Sequence, residues 1–248
     1  HWPGGLAVAT IISCGIFAAI SGSSVATAAT IGTVAIPEMI SRGYEKRFVY
    51  GLLAAGGTLG ILIPPSIPMI VYGFVTEESV IALFLAGIGP GLALVAMFIV
   101  FAMIHARFIG KQERVAAAAW EHRLATSKRA LAPFALSALI IGGLYGGAFT
   151  PTEAAAIGFA AALVITVVLL RTLTWQGFRE AVFDSMATTV AILLIVAGAK
   201  IFGKAITLYR IPQDVSVLIG QNIDAPLAFI LVVSLVLLFM GLVFEALS

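Results

Sequence analysis

The sequence predicts an all-α membrane protein that crosses the bilayer several times. Of its 248 residues, 61% are hydrophobic and only 10% are charged, whereas soluble domains carry about 25% charged residues. The apolar residues form continuous runs about as long as a membrane-spanning helix, not the alternating pattern of a membrane β-barrel. The net charge of +2 is too small to indicate nucleic-acid binding. The single Cys14 excludes an intrachain disulfide and a CxxC motif.

Eight apolar runs account for most of the chain, and each is a candidate helix in the membrane. They cover residues 5–20, 24–40, 48–74, 79–106, 131–149, 153–170, 181–203 and 226–247. The polar connections between them lie at 41–47, 75–78, 107–130, 171–180 and 204–225.

The basic residues predict how these runs are oriented. Connection 41–47 holds three of them, 107–130 holds six and 171–180 holds two, which is eleven of the chain's 14. Lysine and arginine are enriched in cytoplasmic loops, so we expect these three connections on the cytoplasmic side. The opposite face then holds 75–78, the turn near Thr150, and 204–225.

The first two runs predict a re-entrant hairpin. Both ends of the segment 5–40 lie on the cytoplasmic side if 41–47 does, and Ser21-Gly22-Ser23-Ser24 lies between the two runs. A helix from Ser24 to Ile40 is about 25 Å long, which is short for a complete crossing. Two short ordinary spans that pack through small residues are the alternative.

The run 48–74 predicts a broken helix. Residues 56–68, with the sequence GGTLGILIPPSIP, hold three glycines and three prolines. Each proline lacks an N–H and leaves the carbonyl four residues earlier without its helical donor. Such backbone survives in a bilayer only where it is buried in protein or lines a cavity. Discontinuous helices at the midplane are typical of ion and solute sites in secondary transporters.

Several motifs resemble one transporter family over almost the whole chain. They read SGSSVATAATIG, PEM, RGYEKRF, AAGGTLGILIPPSIPMIVYG, GGLYGGAFTPTEAAAIG and IFGKAITLYRIPQ, in this order. They resemble the large membrane subunit of the TRAP (tripartite ATP-independent periplasmic) transporters, of the ion-transporter superfamily. The resemblance implies an elevator-type fold with inverted repeats in the bacterial inner membrane. It also implies Na⁺-coupled import of organic acids, such as C4-dicarboxylates or sialic acid.

The resemblance implies two protein partners, a periplasmic solute-binding protein and a small membrane subunit. It implies no enzymatic activity and no organic cofactor. A weak internal similarity, between residues 17–21 (FAAIS) and 244–248 (FEALS), agrees with an inverted repeat. On this basis we expect the chain to be a fragment that lacks both ends of the subunit and stops at a second hairpin.

The repeat predicts four regions along the chain. Residues 1–106 form a first-repeat transport region with the hairpin 5–40, the broken helix 48–74 and the span 79–106. A cytoplasmic loop, 107–130, precedes the second-repeat scaffold spans and an arm helix in 131–180. Residues 181–248 form a second-repeat transport region, truncated at the second hairpin.

The hairpin tip and the broken helix are the candidate site, and by resemblance they form the family's first sodium site. Neither contains a carboxylate, which favours Na⁺ over Ca²⁺. We predict Ser21, Gly57, Thr58 and Gly60 as ion ligands. The predicted substrate-binding residues are Ser23, Ser24, Pro65 and Ser66, because a helix N-terminus near Ser23 favours a carboxylate. Lys200 and Glu245 are further candidates, and packing of small residues is the structural alternative for each serine.

Other functions are open to the sequence alone. An anion carrier of the same superfamily that works without a binding protein is one alternative, and a channel or a structural membrane subunit is another. An intramembrane serine protease is a remote alternative, because it needs a histidine beside its nucleophile. Separately, Thr150-Pro151-Thr152-Glu153 has the spacing of a helix capping box.

Overall fold

A computed structural model describes residues 4–108, 120–222 and 225–243. Within these ranges every regular element is helical. The helices are α1 (Gly5–Ser21), α2 (Ser24–Ser41), α3 (Lys46–Leu62), α4 (Ile67–Thr76), α5 (Val80–Phe108), α6 (Trp120–Tyr145), α7 (Pro151–Val164), α8 (Trp175–Leu208), α9 (Ile211–Asn222) and α10 (Pro226–Val243). A π-helical segment, Ile165–Leu169, continues α7. The chain divides into two compact units, His1–Thr172 and Leu173–Ser248.

The helices confirm the predicted class of multi-pass α-helical membrane protein. Among the described residues, five helical segments are long and apolar enough to cross a membrane, and the proline-broken segment Lys46–Thr76 is one of them. Three shorter apolar helices, Gly5–Ser21, Phe134–Tyr145 and Pro226–Leu242, complete the set. Together they correspond to the eight apolar runs of the sequence.

Helices α1 and α2 form the predicted hairpin. Only Gly22 and Ser23 separate them, and the two helices have 17 and 18 residues. These lengths correspond to about 25 and 27 Å, somewhat less than the roughly 30 Å of hydrocarbon in a bilayer. The helical hairpin is confirmed, and its re-entrant placement in the membrane stays a prediction.

The predicted broken helix is present, but the break lies later than the glycines. Helix α3 continues through Gly56, Gly57 and Gly60 to Leu62, and α4 begins at Ile67. We expected the Gly-Gly-Thr-Leu-Gly segment to be part of the break, and that expectation was wrong. Glycine weakens a helix but keeps its N–H, whereas proline removes the donor. The break therefore spans residues 63–66, with a cis peptide bond between Pro64 and Pro65.

The hairpin packs on the broken helix and on α5 around one apolar core. Its fully or almost fully buried members come from α1, α2, α3, the turn before α3, and α5. They are Ala7, Val8, Ile11, Cys14, Ala18, Ala35, Met39, Tyr44, Phe48, Val49, Leu52, Leu53, Leu59 and Ala102. Apolar packing thus holds the hairpin and the first half-helix together and joins them to the second half of α5.

Helix α7 begins with the capping box that the sequence predicts. The Thr150 side chain accepts a hydrogen bond from the backbone N–H of Glu153, and the Glu153 carboxylate accepts one from the N–H of Thr150 at 2.8 Å. The box satisfies donors at a helix start that would otherwise lack partners. The structural interpretation of this motif is confirmed.

The second unit consists of α8, α9 and α10. The predicted arm is not a separate helix, because Thr174 caps α8 and this helix continues without interruption from Trp175 to Leu208. Its first turns carry two aromatic residues, Trp175 and Phe178, whose rings stack with centroids 5.8 Å apart. The connection predicted at 204–225 contains helix α9.

The orientation can be tested with single cysteines, because the native Cys14 is fully buried. Glu45 and Glu78 lie in exposed connections at the two ends of the segment Lys46–Thr76. We expect Glu78→Cys to react with a membrane-impermeant maleimide in intact spheroplasts, and Glu45→Cys to react only after permeabilisation. Any cysteine outside these 248 residues is replaced first.

The parent protein with Cys14 alone is the control, and it should stay unlabelled under both conditions. The reverse pattern, with Glu45→Cys labelled in intact spheroplasts and Glu78→Cys protected, would contradict the orientation derived from the basic loops.

Candidate functional site

The tip of the hairpin contacts the break in the following helix. The backbone N–H of Ile67 donates to the carbonyl oxygen of Gly22 across a distance of 3.3 Å. Gly22 has a φ of +61°, and a Cβ at this position would lie 2.8 Å from the carbonyl oxygen of Pro65. Both the backbone conformation and the close approach therefore require glycine. The structure thus brings together the two features that the sequence predicts as one site.

Glycines on α3 permit this contact. A Cβ on Gly60 would lie 2.4 Å from the carbonyl oxygen of Ser23, and one on Gly57 would lie 2.9 Å from the Cβ of Ala28. Real Cβ atoms essentially never approach so closely. The predicted residues Gly57 and Gly60 accordingly lie against the start of α2, where they allow the hairpin to reach the break.

Four helix ends lie at this junction, which we call the tip–break junction (residues 21–24 and 60–67). Helices α1 and α3 end there, at Ser21 and Leu62, and α2 and α4 begin there. Helix C-termini carry partial negative charge and N-termini partial positive charge, each equivalent to about half an elementary charge. The junction can therefore favour a cation beside one pair of ends and an anion beside the other.

The start of α2 is capped by a predicted site residue. Ser23 has extended backbone geometry, and its hydroxyl accepts a hydrogen bond from the N–H of Ala26 at 3.4 Å. Ser24 is the first residue of the helix. The helix N-terminus expected near Ser23 is thereby confirmed, whereas a role of Ser23 or Ser24 in substrate binding stays a prediction.

A cluster of hydroxyl and carbonyl oxygens lies at the hairpin tip. The hydroxyls of Ser21 and Thr27 are 3.0 Å apart, and Thr27 donates to the carbonyl oxygen of Ser23 at 2.8 Å. Thr27 is fully buried. The sequence prediction did not include Thr27, although a threonine four residues after a predicted N-cap can reach that residue's carbonyl.

Ser66 is buried in the break and bridges it. Its hydroxyl donates to the carbonyl oxygen of Ile61 at 2.7 Å, and its side chain is fully buried. That carbonyl lost its helical donor because residue 65 is proline. The Ser66 hydroxyl therefore replaces a missing backbone N–H. The carbonyl oxygen of Pro65 lies beside Gly22 at the hairpin tip.

The other predicted site residues lie elsewhere. Thr58 is exposed on α3, and its hydroxyl donates to the carbonyl oxygen of Ala55 at 2.7 Å. Lys200 belongs to α8 in the second unit. Glu245 lies outside the described residues.

The oxygen atoms that could coordinate an ion at the junction fit a monovalent cation. They are neutral hydroxyl and carbonyl oxygens, and proteins bind hard cations through oxygen. Backbone carbonyls alone can replace the hydration shell of a monovalent ion, whereas Ca²⁺ sites usually contain carboxylates. The carbonyl of Gly60 is available for such a role, because residue 64 is proline and has no N–H to donate to it.

The position of His105 argues against a serine protease. Its ring stacks on that of Phe48 with centroids 3.9 Å apart. Phe48 lies at the start of α3, twelve residues and about 18 Å along the helix from Gly60, which the tip contacts. His105 is the only histidine whose side chain the structure describes, and it cannot activate a serine at the tip.

Comparisons with known proteins show the family to which the chain is similar. The model of the family "Tripartite ATP-independent periplasmic transporter, DctM component" matches residues 1–248. The chain is 39% identical over 243 residues to a C4-dicarboxylate TRAP transporter large permease protein of Pseudomonas aeruginosa, covering 97% of this chain and 56% of that protein.

Two further relatives differ in the solute that they are named for. The ectoine/5-hydroxyectoine TRAP transporter large permease protein of Ruegeria pomeroyi is 36% identical, with 98% of this chain and 56% of that protein covered. The sialic acid TRAP transporter large permease protein of Vibrio cholerae is 35% identical, with 100% and 58% covered. The chain thus spans little more than half the length of these relatives.

These matches cover the hairpin, the broken helix and the second unit alike. They identify a multi-pass protein of the bacterial inner membrane and confirm that it is a transporter component, not an enzyme. The chain belongs to the family of DctM components, the large permease subunits of the tripartite ATP-independent periplasmic transporters.

Proposed function

We propose that this chain forms part of the permease of a secondary transporter that couples Na⁺ entry to the import of organic acids. The observation that carries the proposal is the tip–break junction, where four helix ends and neutral oxygens meet in a membrane-embedded unit. Helix ends of this kind bind the coupling ion and the substrate in other secondary transporters.

On the cation side, the proposed ligands are the hydroxyl oxygen of Ser21 and the free carbonyl of Gly60. Gly57 contributes by permitting close packing, because a Cβ there would also lie 3.1 Å from the carbonyl oxygen of Ser24. Thr58 is not part of the proposed ligand set, since it is exposed on α3.

On the anion side, the proposed contacts are the N-termini of α2 and α4. Ser23 and Ser24 belong to the first, and Pro65 and Ser66 precede the second. Backbone N–H groups at a helix start favour a carboxylate. Relatives named for C4-dicarboxylates and sialic acid support an organic acid as the substrate class.

The proposed partners are a periplasmic solute-binding protein and a small membrane subunit. The words tripartite and periplasmic in the family description support both. We further propose an elevator-type movement, in which the hairpin, the broken helix and α5 cross part of the membrane together. Their shared apolar core supports movement as one body.

Coupling is tested in proteoliposomes that contain the complete permease, its small subunit and the cognate binding protein. We expect saturable uptake of the acid that requires an inward Na⁺ gradient and is lost when K⁺ replaces Na⁺. Equal uptake with and without the Na⁺ gradient would disprove the coupling.

The packing at the junction is tested by Gly60→Ala. The added methyl group would displace the carbonyl of Ser23 and with it the hairpin tip. We expect the Na⁺ concentration for half-maximal uptake to rise about tenfold or more, as it does when groups that orient metal ligands are removed.

Gly51→Ala is the matched control on the same helix, because a Cβ at Gly51 would have no neighbour within 4 Å. It should leave the Na⁺ dependence of uptake unchanged. If Gly60→Ala and Gly51→Ala show the same Na⁺ dependence, the junction is not the ion site.

A further inference from the structure

Among the described residues, Thr27 carries the only fully buried hydroxyl that contacts a proposed ion ligand. It is 0% exposed. Its hydroxyl contacts two oxygens of the tip, the Ser23 carbonyl at 2.8 Å and the Ser21 hydroxyl at 3.0 Å. A buried hydroxyl must be hydrogen-bonded, so these two contacts fix its orientation.

The hydrogens in this cluster can be assigned by counting. A threonine hydroxyl has one hydrogen and two lone pairs. A carbonyl oxygen has no hydrogen, so Thr27 must donate its own to Ser23. The hydrogen between the two hydroxyls therefore belongs to Ser21, which donates to Thr27.

This assignment fixes the direction in which Ser21 presents its lone pairs. A cation binds the lone pairs of a hydroxyl, and the hydrogen must point away from it. Thr27 accepts that hydrogen, and the N–H of Ser23 approaches the Ser21 oxygen only at a long distance of 3.4 Å. One lone pair of Ser21 is thus left for an ion.

Without the Thr27 hydroxyl, the Ser21 hydrogen has another acceptor. The Ser23 carbonyl lies 3.4 Å from the Ser21 hydroxyl. The hydrogen would turn towards that carbonyl, and the lone pairs of the Ser21 hydroxyl would turn away from the ion.

We infer that Thr27 is a positioning residue that orients the Ser21 hydroxyl towards Na⁺ without touching the ion. This inference rests on the proposed sodium-coupled function. In metal sites, groups that hydrogen-bond to a metal ligand hold that ligand in its binding orientation, and the inference assigns this role to Thr27.

The test compares variants of the complete permease in two measurements. One is the Na⁺ concentration that gives half of the Na⁺-induced rise in thermal unfolding temperature in detergent. The other is the Na⁺ concentration for half-maximal uptake in proteoliposomes. Thr27→Val keeps the shape of the side chain but loses the hydroxyl. We expect it to raise both Na⁺ concentrations about tenfold. Thr27→Ser should restore both to within about twofold of the parent, because it keeps the hydroxyl.

Thr33→Val is the matched control. Thr33 lies on the same helix, is exposed, and donates to the carbonyl of Thr30 only. It should leave both Na⁺ concentrations unchanged. If Thr27→Val yields no folded protein, Thr27→Cys replaces it. The weakly hydrogen-bonding thiol should then give a shift between those of serine and valine.

Each outcome decides the inference. If Thr27→Val, or Thr27→Cys in its place, leaves both Na⁺ concentrations as unchanged as Thr33→Val does, Thr27 does not position the Ser21 hydroxyl. Equal shifts in the serine and valine variants would assign the effect to packing and overturn the role of the hydroxyl. If the parent permease responds to Na⁺ in neither measurement, the sodium proposal itself fails, and the inference about Thr27 fails with it.

Discussion

The structure of the first unit depends on one requirement, that a backbone interrupted by prolines be satisfied inside a membrane. Water is not available there to bond the freed carbonyls and N–H groups. The chain supplies replacements from nearby. The Ser66 hydroxyl bonds to the Ile61 carbonyl, and the N–H of Ile67 bonds to the Gly22 carbonyl of the hairpin. The break is thus satisfied in part by its own serine and in part by the hairpin.

The same requirement produces the candidate site. A helix that ends inside the membrane leaves carbonyls without donors, and a helix that begins there leaves N–H groups without acceptors. Two ends and two beginnings lie together at the tip–break junction. The partial charges that make the arrangement costly in lipid are those that would bind the proposed ion and anion, so the cost of folding and the proposed binding have one origin.

Much of this was accessible from the sequence, because composition and the spacing of apolar runs report directly on a membrane environment. The hairpin, the capping box at Thr150 and the broken helix follow from local rules for glycine, proline and threonine. The glycines of α3 were misinterpreted as the break because their effect is not local. Gly60 remains helical, and its lack of a side chain matters only against Ser23 of another helix. Thr27 was missed for the same reason, since its burial depends on packing between helices.

The bond between Gly22 and Ile67 has a consequence for how specificity can vary among such permeases. It joins a carbonyl to an N–H, so it uses no side-chain atom on either residue. Side chains around the junction that do not enter this contact can therefore change without altering the connection between hairpin and break, whereas Gly22, Gly57 and Gly60 are fixed by close packing. On the proposed function, a permease can in this way be adapted to a different solute while the framework around its coupling ion keeps the same geometry.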